Sequence, residues 1–177
     1  DNTQITLDST SKEVTYGDSI TLKASVTSDT PQTVTWKSSN TAVATVKDGI
    51  VTATGKGTAK ITASLPNGRS AVCTVKVTTK KLPTSGYSYA STAQYTGSAI
   101  IPTVTVKDGS KVLRQNIDYR VIVTNNVKIG HANITISGMG NYYGSYTAGF
   151  DIIPAKQTIQ KLETRYKGFF VDWAQKG

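Results

Sequence analysis

The chain carries little reactive chemistry. Its 177 residues include one cysteine, one histidine, one methionine and two glutamates. A lone Cys73 excludes a disulfide within the chain. A single histidine cannot complete a zinc site, which needs three or four ligands. The aspartates do not fall in the oxygen-rich spacing of a calcium loop. Glu13 and Glu163 lie in different segments, and no Gly-x-Ser-x-Gly elbow occurs. Neither a carboxylate pair nor a serine nucleophile is therefore signalled, and no cofactor is implied. No apolar run approaches the ~20 residues of a membrane-crossing helix. No initiator methionine or leader precedes Asp1, so a mature or excised fragment is expected.

Leucine is scarce as well, at six residues, whereas valine, isoleucine and threonine together number 58, a third of the chain. β-Branched residues fit a pleated, half-buried surface, and helices draw on leucine and glutamate instead. The fold class expected is all-β. The net charge is +9, but residues 1–80, 81–155 and 156–177 each carry +3. The cations stand singly among threonines and serines, so no element gathers the several positive charges that nucleic-acid binding requires. No nucleic-acid partner and no membrane insertion are expected, and the chain is read as a monomer.

Ser19 to Val26 alternates polar and apolar without error, which predicts one strand with a single buried face. Thr33 to Lys37 repeats the pattern around Trp36. Ala42–Val46, Asp48-Gly49 and Ile50–Thr54 predict a hairpin, since Asp-Gly suits the positive φ angles of a type I′ turn. Lys60–Leu65, a turn at Pro66-Asn67-Gly68 and Ser70–Val77 predict a second hairpin. Turns at this spacing suggest a β-sandwich. Trp36 is in phase with Val34 and is assigned to the core, with Cys73 as a small buried hydrophobe beside it. Gly55 and Gly57 read as turn and bulge positions.

The run Val34-Thr35-Trp36-Lys37-Ser38-Ser39-Asn40-Thr41-Ala42-Val43-Ala44-Thr45-Val46 has a familiar continuation. It goes on through Gly49-Ile50-Val51-Thr52-Ala53, Gly55, Gly57, Ala59 and Ile61-Thr62-Ala63. This resembles the signature of bacterial immunoglobulin-like domains of group 2, over nearly all of residues 3–79. The resemblance implies a small Ig-like sandwich of the kind repeated in bacterial and phage surface proteins, including intimin- and invasin-type adhesins. It implies a surface or secreted setting and no catalytic residue.

Lys80 to Gly86 breaks the alternation and reads as a short linker. Beyond it, Thr103–Lys107, Asp108-Gly109 and Ser110–Leu113 predict another Asp-Gly hairpin. Asp118–Val123, Ala132–Ser137 and Gly149–Ile153 predict further strands, with Asn125-Asn126 as a turn. Tyr95-Thr96-Gly97, Pro102 to Gly109, Asp118-Tyr119, Asn125-Asn126, Gly130, Gly138, Gly140-Asn141-Tyr142, Gly144 and Phe150-Asp151-Ile152 stand in that order. They resemble a repeat module of clostridial-type surface proteins, which implies a second small sandwich. Ile159, Leu162, Gly168-Phe169-Phe170-Val171-Asp172 and Trp173 are similar to the opening of a fibronectin type III domain. The expected division is 1–80, a linker at 81–86, 87–154, and a truncated third unit at 155–177. The whole is a tandem of Ig-like β-sandwiches.

Seven of the nine tyrosines lie between Tyr87 and Tyr146. Tyr143 and Tyr146 are the candidate ligand-binding residues, because exposed aromatic faces can stack on sugar rings. Tyr142, part of the repeat motif, is assigned to core or corner. His131, after Gly130, is assigned to an exposed loop. The function expected is non-enzymatic: a spacer, stalk or adhesion region of a bacterial cell-surface or secreted, extracellular protein. Its partner would be a surface glycan or host protein. A ligand-binding module appended to a larger extracellular enzyme is the alternative, with a phage structural protein behind it.

Overall fold

In the computed structural model the described residues are 2–156. Every regular element among them is a β-strand. The first sandwich is built from β1 (Gln4–Leu7), β2 (Ser11–Thr15), β3 (Ser19–Thr21), β4 (Ala24–Thr27), β5 (Thr35–Ser38), β6 (Ala44–Lys47), β7 (Ile50–Ala53), β8 (Gly57–Ser64) and β9 (Ser70–Thr78). One sheet runs β2-β9-β8-β5 and faces a sheet ordered β3-β7-β6, while β1 and β4 pair beside them. Between the sheets lie Leu22, Ala44, Val51, Ile61, Cys73 and Val75, all buried. The alternation of β9 accounts for this, since Cys73, Val75 and Val77 point in and Val72 and Lys76 point out. Trp36 is half-buried and touches both this cluster and a smaller one of Ile5, Ala63 and Leu65.

The single strand expected over Ser19–Val26 is two strands on two sheets. Burial alternates through the whole stretch, but the pairing does not. The Leu22 amide donates to the Gly49 carbonyl at 2.8 Å, and the Lys23 amide donates to Asp8 Oδ1 at 3.1 Å. The first continues the β3–β7 register by one position, since Thr21 pairs with Ile50, and the second passes the chain to β1. The hairpin between β6 and β7 forms as expected. Asp48 and Gly49 have φ of 50° and 80°, and Lys47 pairs with Ile50, as a type I′ turn requires.

After β10 (Lys80–Lys81), the second sandwich comprises β11 (Tyr87–Ser88), β12 (Thr92–Gln94), β13 (Thr105–Asp108), β14 (Lys111–Val112), β15 (Tyr119–Thr124), β16 (Gly130–Gly138), β17 (Tyr142–Tyr143) and β18 (Ser145–Ile153). A sheet ordered β12-β18-β16-β15 packs on β11-β13-β14. Val106, Ile134, Ile136, Phe150 and Ile152 fill the space between them. Asp118 is buried at the start of β15. It accepts from the Arg114 backbone N–H at 2.9 Å and from Arg114 Nε at 3.1 Å. Burial alone would raise its carboxyl; the bonds and charge of Arg114 outweigh this and hold it below the usual range.

Two local expectations are corrected in this sandwich. The loop of the second hairpin is Gly109-Ser110, and Asp108 is its last strand residue, paired with Lys111. Positive φ is confined to Gly109, at 61°, which matches a type II′ turn. His131 is a strand residue of β16, not a loop residue. Its Nδ1 lies 2.8 Å from Asp151 Oδ1 across the ladder, on the exposed face. The fibronectin-like reading rests on residues 157–177, which lie outside the described residues.

Candidate functional site

The densest group of functional side chains lies where the two sandwiches meet. The stretch read as a linker is tied to the second sandwich: β10 runs parallel to β17, with Lys80 opposite Tyr142 and Lys81 opposite Tyr143. The Lys80 amide donates to the Asn141 carbonyl at 2.8 Å, and the Leu82 amide to Tyr143 at 2.9 Å. Leu82 itself is buried in the second core. Asn141 also reaches the first sandwich, where its Oδ1 accepts from the Lys56 amide at 2.8 Å. Its backbone and side chain thus bond to both sides of the junction.

Asp108 is the charged centre of this region. Both its oxygens accept from Lys80 Nζ, at 3.0 and 2.7 Å, and Oδ2 also accepts from the Tyr142 hydroxyl at 3.1 Å. From the first sandwich, Tyr16 packs edge-on against Tyr142 with centroids 5.5 Å apart. Lys111 Nζ donates to the Tyr16 hydroxyl and lies 4.9 Å from the Tyr16 ring centroid.

Burial would push the Asp108 carboxyl up. The hydrogen bonds from Lys80 and Tyr142, with the charges of Lys80 and Lys111, outweigh it and leave the group below its ordinary value. Tyr142 is pushed well above a normal phenol, by burial first and then by the carboxylate it faces. A depressed carboxylate stabilises the folded form above the unfolded-chain value of about 4, and this stability is lost as pH falls through the lower folded value. The junction is therefore expected to hold at neutral pH and to loosen only in acid below about 4. The carboxyl carbon shift of Asp108, followed by NMR, checks this. A midpoint at or above that of an ordinary aspartate would contradict the arrangement.

Of the residues picked out from sequence, Tyr142 and Tyr143 lie on β17 at this junction, and the others fall elsewhere. Tyr143 is 51% exposed and pairs through its backbone with Lys81. Tyr146 is half-buried against the second core, and its ring stacks on Tyr87 at 3.9 Å and 6°. The two are therefore not one aromatic platform, since one face of Tyr146 is already covered. Tyr142 is buried in that core. Cys73 is fully buried, and burial, followed by the charge of Asp8, pushes its thiol up and away from reactivity. Glu13 makes an exposed 3.2 Å pair with Lys76.

Among the described residues no group of three His, Cys, Asp or Glu side chains converges to hold a metal. No helix among them is long and apolar enough to cross a membrane. Sequence reasoning did not single out Lys80, Asp108, Asn141, Lys111 or Tyr16 as a group. The available signal was the position of Asp108 and Asn141 in the run of residues that resembles a surface-protein repeat.

Comparison with known proteins gives relatives of part of the chain. Lacto-N-biosidase of Bifidobacterium bifidum is 57% identical over 51 residues, which is 28% of this chain and 5% of that protein. The chain thus matches only a small part of that relative's length. Among solved structures, the Yersinia pseudotuberculosis adhesin InvE aligns at 14% identity with a TM-score of 0.36, over 85% of this chain and 59% of that one. Extracellular cadherin domains 1–4 of protocadherin gamma B7 align at 13% identity and a TM-score of 0.36, over 85% and 50%. Residues 1–81, the stretch that includes the whole first sandwich, match the family model of the bacterial Ig-like domain (group 2).

Proposed function

We propose that this chain is a non-enzymatic modular region of a bacterial cell-surface or secreted protein, working as a spacer or stalk or in adhesion. Its modules are 1–80 and 87–154, joined through 81–86, with the beginning of a third at 155–177. The observation that carries this reading is the junction. Asn141 with Lys56, Lys111 with Tyr16 and Tyr142 with Tyr16 link the two sandwiches from separate elements, which supports a fixed joint and not a loose tether. Such a joint sets a distance and a direction between modules, which is the work of a spacer. Small-angle scattering on the chain tests it. A compact globule of this length has a radius of gyration near ~16 Å, and tandem modules are expected to give a clearly larger value. A result at the compact value would refute the tandem arrangement.

A second reading has its own support: the 57% identity shared with part of lacto-N-biosidase. On that reading the chain is a glycan- or host-ligand-binding module of a larger extracellular enzyme. Tyr143, with its exposed ring, is the residue to test. Glycan binding that is lost in Tyr143→Ala with unchanged melting temperature would favour this reading. A blank glycan array for the unaltered chain would remove it.

A further inference from the structure

We propose that β15 is a pairing edge, and that its occupant is β15 of a second copy of this chain, laid antiparallel so that the two sheets join into one. β15 is last in the order β12-β18-β16-β15, so one of its sides has no neighbouring strand. The bonds around it fix which residues face that side. The Met139 amide donates to the Asp118 carbonyl at 2.9 Å, so the even-numbered residues turn their backbone groups toward β16. The Tyr119 carbonyl accepts instead from the Asn116 amide, away from β16. Val121 and Val123 share that parity and direct an N–H and a C=O each outward. No described residue bonds to them there. The flanking segment bonds through Ile100 to Asn126, beyond the end of the strand, and runs on into Pro102, which has no amide. Buried backbone groups are almost always paired, so these belong to an edge open to water.

This edge also lacks the usual protection. It has six residues, Tyr-Arg-Val-Ile-Val-Thr, with one charge and no proline. Every other edge strand among those described is shorter, and the next longest, β2, carries Lys12 and Glu13. Long edges of low charge pair unless something guards them. The choice of partner follows from the strand itself. In an antiparallel pair the outward residues of one strand must meet outward residues of the other. Tyr119 is already engaged by Asn116 and Arg114, and Asn125 leaves the strand conformation at φ 58°. The one register that uses both valines pairs Val121 with Val123 of the second copy, and a two-fold axis repeats it. Ile122, 46% exposed, then lies beside its own counterpart on the outer face. Arg120 faces Thr124 of the second copy, so no like charges are directly opposed. Strands of this length bury less than about 1,200 Å², so the contact is of the weak class. The monomer expected from sequence is then the state in dilute solution. This inference holds whether the chain is a spacer or a ligand-binding module.

Cysteine cross-linking of the full 177-residue chain tests the register. Position 122 and its counterpart form a pair without mutual hydrogen bonds, with Cα atoms about 4.5 Å apart, within reach of a disulfide. Ile122→Cys is expected to give a covalent dimer with copper–phenanthroline as oxidant. Thr124→Cys is expected to give none, because it stands four residues from its own counterpart, about 13 Å along the strand. The native Cys73 is fully buried and does not compete. Equal yields from the two variants, or no dimer from Ile122→Cys, would overturn the proposal. Sedimentation equilibrium supplies a second measurement. The mass of the unaltered chain is expected to rise toward that of a dimer as its concentration approaches about 1 mM. Ile122→Lys, which sets like charges opposite each other at an exposed position, is expected to abolish the rise. A flat mass for the unaltered chain, or a rise that persists in Ile122→Lys, would also overturn it.

Discussion

Phe150→Ala is expected to lower the melting temperature of the second sandwich by on the order of 15 °C or more. Phe150 heads the fully buried side chains by volume and is 1% exposed. It lies on β18 opposite Ala132 of β16, in a cluster with Val106, Ile134, Ile136 and Ile152. A small residue across the ladder leaves the ring room, so the ring itself fills the space between the sheets. Truncation removes its transfer free energy and leaves a cavity, together about 3–5 kcal/mol. In a domain of this size each kcal/mol moves the midpoint by roughly 4–8 °C. Scanning calorimetry reads the loss directly. The buried residues of the first and second cores are disjoint sets. The expected trace therefore separates into two transitions, with the earlier one belonging to the second sandwich. A loss below about 1 kcal/mol would mean that the core collapses around the missing ring.

Gly49→Ala is the second large effect, expected at about 3 kcal/mol or more. Gly49 has φ of 80° at the hairpin between β6 and β7. A Cβ there would stand 2.5 Å from the Leu22 carbonyl oxygen and 3.2 Å from the Trp36 ring. The backbone oxygen cannot yield without breaking the bond by which Leu22 N–H holds Gly49. Gly68→Ala separates the two causes. Gly68 has a similar φ of 85° but nothing within 4 Å of an added Cβ. Its replacement carries only the conformational cost, about 1–2 kcal/mol. Urea melts of the two variants measure the difference. Equal losses would show that close approach at Gly49 contributes nothing.

The same contact explains why one part of the first sandwich was legible and another was not. Asp48-Gly49 between two apolar runs is a local signal, and the turn follows from the φ preferences of those two residues. Cys73, Val75 and Ile61 were equally legible, because a period of two fixes which side chains face inward. The break at Leu22 was not. Alternation continues through it, and what divides the strand is a change of partner, from Gly49 at Leu22 to Asp8 at Lys23, which no property of Ser19–Val26 encodes. Asp108 shows the same limit. Asp-Gly reads as a turn from its neighbours, but its partners Lys80 and Tyr142 lie 28 and 34 residues away. In the fold Asp108 pairs with Lys111 as a strand residue, and the loop lies one residue further on. Tyr146 was singled out for exposure, yet Tyr87, distant in sequence, covers one of its faces. In each case the missing information is long-range pairing, and the whole junction is made of such pairs.

The parallel ladders have a mechanical consequence. β2, near the beginning of the first sandwich, runs parallel to β9 at its end, and Ser11 to Thr15 pair with Thr74 to Thr78. β12 stands in the same relation to β18, and β10 to β17. A force that draws the ends of either sandwich apart pulls two neighbouring strands in opposite senses along their own axes. The hydrogen bonds between them are then loaded in shear, all at once, instead of opening one after another like a zipper. Resistance to extension is set by how many of these bonds must fail together, a rate property distinct from the folding free energy. The first sandwich carries this load on one ladder of five residues, and the second divides it between separate ladders of three and two.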